Sequence, residues 1–186
     1  NMYLSYSYKF YKNPTSENYV YKPRFSMLTI RPLEPNDEPF LWEMLYQAIY
    51  VPTGTTPLPR EIIYQPELAK YVRDWKASDI GLIAVLQSNQ NPIGATWIRL
   101  FDINNPGYGY INDETPELSI AVLPEYRNQG IGTKLLLTLL ERVTGIYPAI
   151  SLSVSADNPA LRLYQRNGFK VVNQSDSSVT MEKKLK

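Results

Sequence analysis

A glycine-rich turn at the start of a helical pattern is the part of this sequence best suited to chemistry. Residues 127–133, RNQGIGT, precede an apolar run at helical spacing. Gly130 and Gly132 carry no Cβ atom that would keep a ligand away from the backbone. The first N–H groups of a helix have no partner within it, and the helix dipole favours negative charge there. The turn therefore predicts a phosphate-binding site.

Two common phosphate-binding motifs do not match this turn. A Walker loop requires G-x-x-x-x-G-K-[ST], but the residue five positions before Gly132 is Arg127. A dinucleotide-binding turn requires a third glycine or alanine at position 135, which is Leu135. Neither a nucleoside triphosphate loop nor a dinucleotide fingerprint is therefore present.

The absence of cysteine and histidine from all 186 residues limits the chemistry further. It excludes disulfides, thiolate catalysis and cysteine metal sites, and no metal site is expected. A general base must then be a carboxylate, a tyrosine, a lysine or a water relay.

The composition is that of an ordinary globular protein, with 44% hydrophobic and 20% charged residues. The net charge of +1 argues against a nucleic-acid partner. No apolar run is long enough for a membrane span, so no membrane partner is expected and the cytoplasm is the expected location.

The predicted elements alternate as in an α/β domain: strand, two helices, three strands, helix, strand, helix and two strands. The predicted strands cover residues 28–32, 82–86, 93–101, 117–122, 149–155, 169–172 and 179–185, and the predicted helices cover residues 40–48, 67–75, 131–144 and 158–167. Residues 1–26 contain six tyrosines and no helical period. We expect these 26 residues to form a tyrosine-rich N-terminal extension, and residues 27–186 to form one domain.

Two blocks of sequence resemble a known family. Arg127, Gly130 and Gly132 match its R/Q-x-x-G-x-G/A signature, and N-P-A-L-R-L-Y at residues 158–164, followed by Gly168-Phe169, looks like its later helix and turn. The chain thus resembles the GNAT superfamily of N-acetyltransferases. The resemblance implies an α/β fold with a central mixed, twisted sheet of about six to seven strands, flanked by about four helices.

The activity implied by the resemblance is transfer of an acetyl group from acetyl-CoA to a primary amine of a small molecule, amino acid or peptide. In the family the donor is held by the backbone and side chains of the glycine-rich turn, by an asparagine at the later helix and by an N–H on the central strand. Here these positions are Arg127, Gln129, Gly130, Ile131, Gly132 and Thr133 for the pyrophosphate, Asn158 for the pantetheine arm, and Val122 for the thioester carbonyl.

Two catalytic residues are implied in the same way. Glu117 matches a strand position where several GNAT enzymes place a base that acts directly or through water, and Asp113 and Glu114 are the substitutes. Tyr164 matches the general acid of the family. A phenol of pKa about 10 suits the protonation of a thiolate of pKa about 8 to 9.

Two other functions remain open at this point. The chain could bind acyl-CoA as a sensor without turnover, or act as an adaptor through its tyrosine-rich N-terminus. A homodimer would be compatible with the family.

Overall fold

The protein is described by a computed structural model that covers residues 28–76 and 78–186, with the backbone of residues 11–12 and 19–20. Two short strands, β1 (Tyr11–Lys12) and β2 (Tyr19–Val20), pair antiparallel as a separate ladder. The predicted extension over residues 1–26 otherwise lies outside the described residues, so the predicted domain division stays a prediction.

One mixed sheet of seven strands organises the remainder of the described chain. Its strands are β3 (Leu28–Pro32), β4 (Gly81–Leu86), β5 (Pro92–Arg99), β6 (Glu117–Val122), β7 (Ala149–Ser155), β8 (Lys170–Gln174) and β9 (Ser178–Lys184). They lie in the order β3-β4-β5-β6-β7-β9-β8, and every neighbouring pair is antiparallel except β6 and β7. The predicted order of elements and the predicted fold class are confirmed.

Helices cover both faces of this sheet. They are α1 (Glu38–Ala48), α2 (Pro66–Ala69), α3 (Ile131–Val143) and α4 (Leu161–Arg166), with short 3-10 helices at Pro35–Asp37, Arg60–Tyr64 and Pro124–Tyr126. On one face, a core forms around the apolar side of α3 and includes Leu135, Leu139 and Tyr164. On the other face, residues of α1 and of the segment after α2 pack on Ile83 and Trp97.

The second helix is shorter than predicted. The sequence pattern predicts a helix over residues 67–75, but α2 ends at Ala69 and tight turns follow, with a left-handed conformation at Asp74 (φ +59°). The Tyr71 carbonyl does not continue the helical ladder, because it accepts hydrogen bonds from Trp97 Nε1 at 2.9 Å and Arg99 Nε at 3.3 Å. Contacts with β5 thus replace the helical hydrogen bonds that the local pattern favours.

The parallel pair β6–β7 opens into a cleft. The two strands pair only at Glu117 and Ser151, where Ser151 N–H donates to Pro116 O at 2.9 Å. Beyond this point β6 stays paired with β5, and β7 pairs with β9 along its whole length. The facing edges of β6 and β7 therefore separate toward their carboxyl ends, and we call this gap the β6–β7 cleft.

The turn into α3 depends on one glycine. Gly130 is the N-cap of α3 and has a left-handed backbone (φ +81°), whereas Gly132 lies within the helix. A Cβ at Gly130 would have no neighbour within 4 Å, so the cost of a side chain there is one of backbone conformation and not of contact.

We therefore expect Gly130→Ala to lower the free energy of unfolding by about 1 to 2 kcal/mol, because a non-glycine residue pays for the left-handed conformation. Gly132→Ala is the matched control. A Cβ there would meet only Val122 Cγ2, at 3.9 Å, and alanine in a helix is favoured over glycine by about 0.5 to 1 kcal/mol. Urea unfolding of both variants measures the difference. Equal effects of the two substitutions would contradict the assignment of the conformational constraint to Gly130.

Candidate active site

The edge of β6 that faces the β6–β7 cleft carries backbone groups that no neighbouring strand pairs with. Leu123 N–H donates to Ile93 O at 2.9 Å, so these residues form a hydrogen-bonded pair with β5. In an antiparallel ladder such pairs alternate with pairs whose N–H and C=O groups point away from each other. Val122, paired with Gly94, belongs to the second kind. Its N–H therefore points toward β7, into the cleft, as the predicted contact with a thioester carbonyl requires.

The start of α3 lies beside the end of β6. Lys134 N–H donates to Gly130 O at 3.0 Å, and this is the first hydrogen bond of the helix. The N–H groups of Ile131, Gly132 and Thr133 consequently have no carbonyl partner within α3. The position of Gly132 next to the Val122 side chain brings these donors to the cleft. A phosphate group fits this end of the helix, because donors, dipole and missing Cβ atoms coincide there.

Two polar side chains of the turn, those of Arg127 and Gln129, contact the protein itself. Arg127 Nε donates to Val122 O at 2.9 Å, and its Nη2 donates to Gln47 Oε1 at 2.8 Å. Gln129 Nε2 donates to Glu125 O at 3.1 Å. The turn therefore offers a phosphate its backbone N–H groups, while the predicted contacts of these two side chains with a pyrophosphate stay predictions.

Glu117 lies where β6 and β7 separate, and its carboxylate is buried. The residue is 4% exposed, although glutamate side chains are mostly exposed in folded proteins. Its Oε1 accepts a hydrogen bond from the Tyr71 hydroxyl at 2.9 Å, and its Oε2 has no hydrogen-bond partner of normal geometry among the described residues. The loop between β5 and β6 covers it, because a Cβ at Gly107 would overlap Oε2.

Burial sets the acidity of this carboxyl group. Removal from water raises the pKa of Glu117 from 4.5 to about 7. The Tyr71 hydrogen bond, the Gly109 backbone N–H and the charge of Lys70 act in the opposite direction and only partly offset the burial. A carboxyl group with a pKa of about 7 exchanges its proton near neutral pH, as a general base must.

The contact between Tyr71 and Glu117 is not visible in the sequence. The helical spacing around Tyr71 indicates a core residue, and its ring is indeed buried. Its hydroxyl, however, reaches a carboxylate 46 positions away. No local pattern reports a partner at this separation, so sequence reasoning assigns Tyr71 no functional role.

Tyr164 lies on α4, on the opposite face of the sheet from Tyr71. Its ring packs edge-on against Phe169, with the ring centroids 5.8 Å apart. Burial raises the pKa of the Tyr164 phenol to about 12, so the hydroxyl keeps its proton at neutral pH. Tyr164 shares one core with Val122 and Ile131, which border the cleft.

Asn158 precedes α4 and shapes its start. Its Oδ1 accepts a hydrogen bond from Ala160 N–H at 2.9 Å, and its carbonyl accepts one from Leu161 N–H at 3.0 Å. This turn places the beginning of α4 at Leu161, three residues later than the sequence pattern predicts. The side chain remains partly exposed, and its predicted contact with a pantetheine arm stays a prediction.

The two substitute bases are less suited to catalysis than Glu117. Asp113 and Glu114 are both exposed. Asp113 Oδ1 accepts hydrogen bonds from the Tyr110 hydroxyl at 2.5 Å and from Ile103 N–H at 3.1 Å, so it holds the β5–β6 loop together. Of the three carboxylates, Glu117 alone is buried.

A cavity of about 340 Å³ lies elsewhere, where β5 ends. Its two cations are already paired, Lys70 with Glu67 at 3.1 Å and Arg99 with Asp79 at 2.9 Å. None of the predicted donor-binding or catalytic residues lines it.

Among the described residues, no group of three or more His, Cys, Asp or Glu side chains could hold a metal ion. No helix in the same part of the chain has the length and apolar character to cross a bilayer.

Known proteins resemble this chain in sequence and in fold. An N-alpha-acetyltransferase of Sulfurisphaera tokodaii is 45% identical over 58 residues, which cover 30% of this chain and 35% of that curated relative. The ribosomal-protein-S18-alanine N-acetyltransferase of Escherichia coli has a similar structure, with a TM-score of 0.58, 19% identity and coverage of 86% of this chain and 94% of that one. A ribosomal-protein-alanine N-acetyltransferase of Brucella melitensis gives a TM-score of 0.57 at 24% identity, with coverage of 84% and 99%.

At these identities the two structural likenesses show the fold alone. The family is shown by the sequence model of the acetyltransferase (GNAT) family, which matches residues 42–169. This match includes the cleft, the glycine-rich turn and both predicted catalytic residues. Because it spans more than half of the sequence, the chain belongs to the acetyltransferase (GNAT) family, whose members are acyltransferase enzymes.

Proposed function

We propose that this protein transfers an acetyl group from acetyl-CoA to a primary amine by direct attack within a ternary complex. The observation that carries the proposal is the buried carboxylate of Glu117, raised in pKa to about 7, at the point where the β6–β7 cleft opens. A glutamate without a catalytic role at a strand end would be solvated, whereas Glu117 is buried and its pKa lies in the range useful to a general base.

The donor would bind along the cleft. Its pyrophosphate would lie at the N–H groups of Ile131, Gly132 and Thr133, and its pantetheine arm would run between β6 and β7 near Asn158. When bound, acetyl-CoA supplies the thioester carbonyl that the amine attacks. The Val122 N–H points into the cleft and would donate to the oxygen of that carbonyl as it becomes negative.

Glu117 would act as the base. In its ionised form it accepts a proton from the acceptor ammonium group, directly or through water, and leaves a neutral amine with a lone pair. The amine nitrogen would then form a bond to the carbonyl carbon, and collapse of the tetrahedral intermediate would break the carbon–sulfur bond. The second proton of the amine nitrogen would pass to the departing thiolate, so that the products are an amide and the free thiol of CoA. Holding both substrates in one site removes most of the entropic cost of their encounter.

Tyr164 would stabilise the leaving thiolate. Its raised pKa keeps the phenol protonated, so the hydroxyl can donate a hydrogen bond to the sulfur as negative charge develops on it. The thiolate that leaves is then less basic and departs more readily. An ionised Tyr164 would have no hydrogen to donate to the sulfur.

The acceptor class with the most support is the α-amine of a peptide or protein. The curated relative that is 45% identical over 58 residues is named an N-alpha-acetyltransferase. The loop between β5 and β6, which lies over Glu117, would contact such an acceptor. Small amines and amino acids are the other candidates, and an acyl-CoA sensor without turnover is the outcome that the experiment must exclude.

The experiment measures the release of free thiol from acetyl-CoA with a panel of acceptors. The panel contains peptides with a free α-amine, the same peptides with a blocked α-amine and one lysine, free amino acids and small polyamines. Turnover with the first class only supports the proposed acceptor. Tight binding of acetyl-CoA without turnover on any amine would establish the sensor instead.

We expect Glu117→Gln to lower kcat by about 10²- to 10⁴-fold, the range typical for loss of a general base. Because the base works in its ionised form, kcat/KM of the wild type should rise with pH and level off above about 7. This limb should be absent in Glu117→Gln. Glu114→Gln is the matched control, since it makes the same chemical change at an exposed position. A similar loss in both variants would argue against Glu117 as the base.

The same carboxyl group should make stability depend on pH. Its pKa is about 7 in the folded protein and 4.5 when exposed, so the folded state binds its proton more tightly. The stabilisation is complete below pH about 4.5 and is lost as pH rises through about 7, a change of about 3 kcal/mol. The free energy of unfolding of Glu117→Gln minus that of the wild type should therefore be larger at pH 8 than at pH 5. Urea unfolding of the wild type and of Glu117→Gln at both pH values checks this, and an equal difference in stability at the two values would contradict the prediction.

A further inference from the structure

We propose that Tyr71 is a positioning residue that holds the Glu117 carboxylate as a hydrogen-bond acceptor and connects it to the loop between β5 and β6. This proposal rests on the proposed function, because it assigns a role to Tyr71 in the action of the Glu117 base. It is drawn from the hydrogen-bond directions, the packing of the Tyr71 ring and the path of the loop backbone.

The direction of the Tyr71 hydrogen bond is fixed by its second partner. The backbone N–H of Tyr108 donates to the Tyr71 hydroxyl oxygen at 2.7 Å. A hydroxyl has one hydrogen to donate, and at Tyr71 this hydrogen points to Glu117 Oε1, 2.9 Å away. Burial and the nearby charge of Glu117 both raise the pKa of Tyr71 well above its usual value, so the hydroxyl stays protonated throughout the working range.

Packing fixes the ring that carries this hydroxyl. Phe101 contacts it edge-on, with centroids 4.9 Å apart at 65°, and Tyr108 stacks on it at 6.3 Å and 11°. The Tyr71 carbonyl accepts hydrogen bonds from Trp97 and Arg99 of β5. Main chain and ring are thus both held by neighbours, and the hydroxyl has little freedom to leave Glu117.

The loop between β5 and β6 is fitted to the same group. A Cβ at Gly107 would overlap Glu117 Oε2, and one at Gly109 would lie 2.6 Å from the Leu152 carbonyl carbon of β7. The backbone from Gly107 to Gly109 therefore lies directly on the carboxylate and on β7. The chain of donors from Tyr108 N–H through Tyr71 to Glu117 connects the position of this loop to the proton affinity of the base.

Other charged groups around Glu117 are engaged elsewhere. Lys70 is close enough to favour the ionised form, but its ammonium group bonds Pro106 O at 2.6 Å and Asn105 Oδ1 at 3.1 Å. Arg99, the register partner of Glu117 on β5, has its guanidinium on Asp79. From β7 the register partner is Ser151, which does not titrate. Tyr71 is the side chain that bonds the carboxylate directly.

The test is a pair of titrations with Tyr71→Phe, which removes the hydroxyl and keeps the ring and its packing. Tyr46→Phe is the matched control, because it removes another tyrosine hydroxyl hydrogen bond, from Tyr46 of α1 to Leu58 O at 2.8 Å, outside this loop. The carboxyl carbon of Glu117 is followed by NMR in protein labelled with ¹³C-glutamate, and its signal is assigned by its loss in Glu117→Gln. The kcat/KM profile against pH is measured in parallel.

We expect the Glu117 titration midpoint in Tyr71→Phe to move to higher pH by about one to two units, the effect of losing one hydrogen bond to a charged group. The rising limb of kcat/KM should move by the same amount, while Tyr46→Phe leaves both in place. A purely structural role for Tyr71 would lower activity equally at every pH. Unchanged midpoints in Tyr71→Phe, or equal shifts in both variants, would overturn the proposal.

A measurement on the wild type makes the result independent of how the variant folds. The amide signal of Tyr108 should titrate with the midpoint of Glu117, because the two are joined through the Tyr71 hydroxyl. An amide signal that does not respond to pH would overturn the proposal. Absence of turnover by the wild type on every acceptor would instead overturn the proposed function, whatever the NMR midpoints show, and full turnover in Glu117→Gln would overturn the assignment of Glu117 as the base.

Discussion

The candidate site depends on a single residue pair, Glu117 and Ser151, at which β6 and β7 stay joined. The outer edge of each strand is paired along its whole length, that of β6 with β5 and that of β7 with β9. The inner edges, beyond that pair, carry backbone groups that the sheet itself does not satisfy. Because such groups are costly to leave without partners, an extended ligand arm that pairs with them is favoured. The interruption of the sheet therefore creates the cleft proposed to bind the donor, and the one remaining pair fixes where the cleft begins.

The same junction explains the properties of Glu117. At the closed end of the cleft the carboxylate is enclosed by the sheet, by Tyr71 and by the loop backbone, which excludes water. A fully satisfied carboxylate with several donors would have a low pKa and would be a weak base. Here one oxygen has a strong donor and Oε2 has no partner of normal geometry among the described residues. This partial satisfaction leaves the effect of burial dominant and keeps the proton exchangeable near pH 7.

The sequence predicts the features that depend on neighbours along the chain. The element order and the glycine-rich turn follow from hydrophobic periods, capping residues and glycine positions, and the structure confirms the fold they predict. The sequence does not predict where α2 ends, because the Tyr71 carbonyl accepts hydrogen bonds from side chains of β5 that are 26 and 28 residues away. The Tyr71–Glu117 contact is hidden for the same reason. The local pattern correctly identifies Tyr71 as buried but carries no information on the partner of its hydroxyl.

Arg127 of the glycine-rich motif connects the two sides of the proposed site through contacts within the protein. Its Nε holds the Val122 carbonyl at the end of β6, and its Nη2 holds Gln47 at the end of α1. The first contact fixes the strand that would orient the thioester, and the second fixes a helix of the opposite face, where Glu117 and Tyr71 lie. One guanidinium thus holds the strand of the proposed donor side at a fixed distance from the helix of the proposed base side. Catalysis that relies on proximity needs this distance to be constant, because small misplacements of the reacting groups cost large factors in rate.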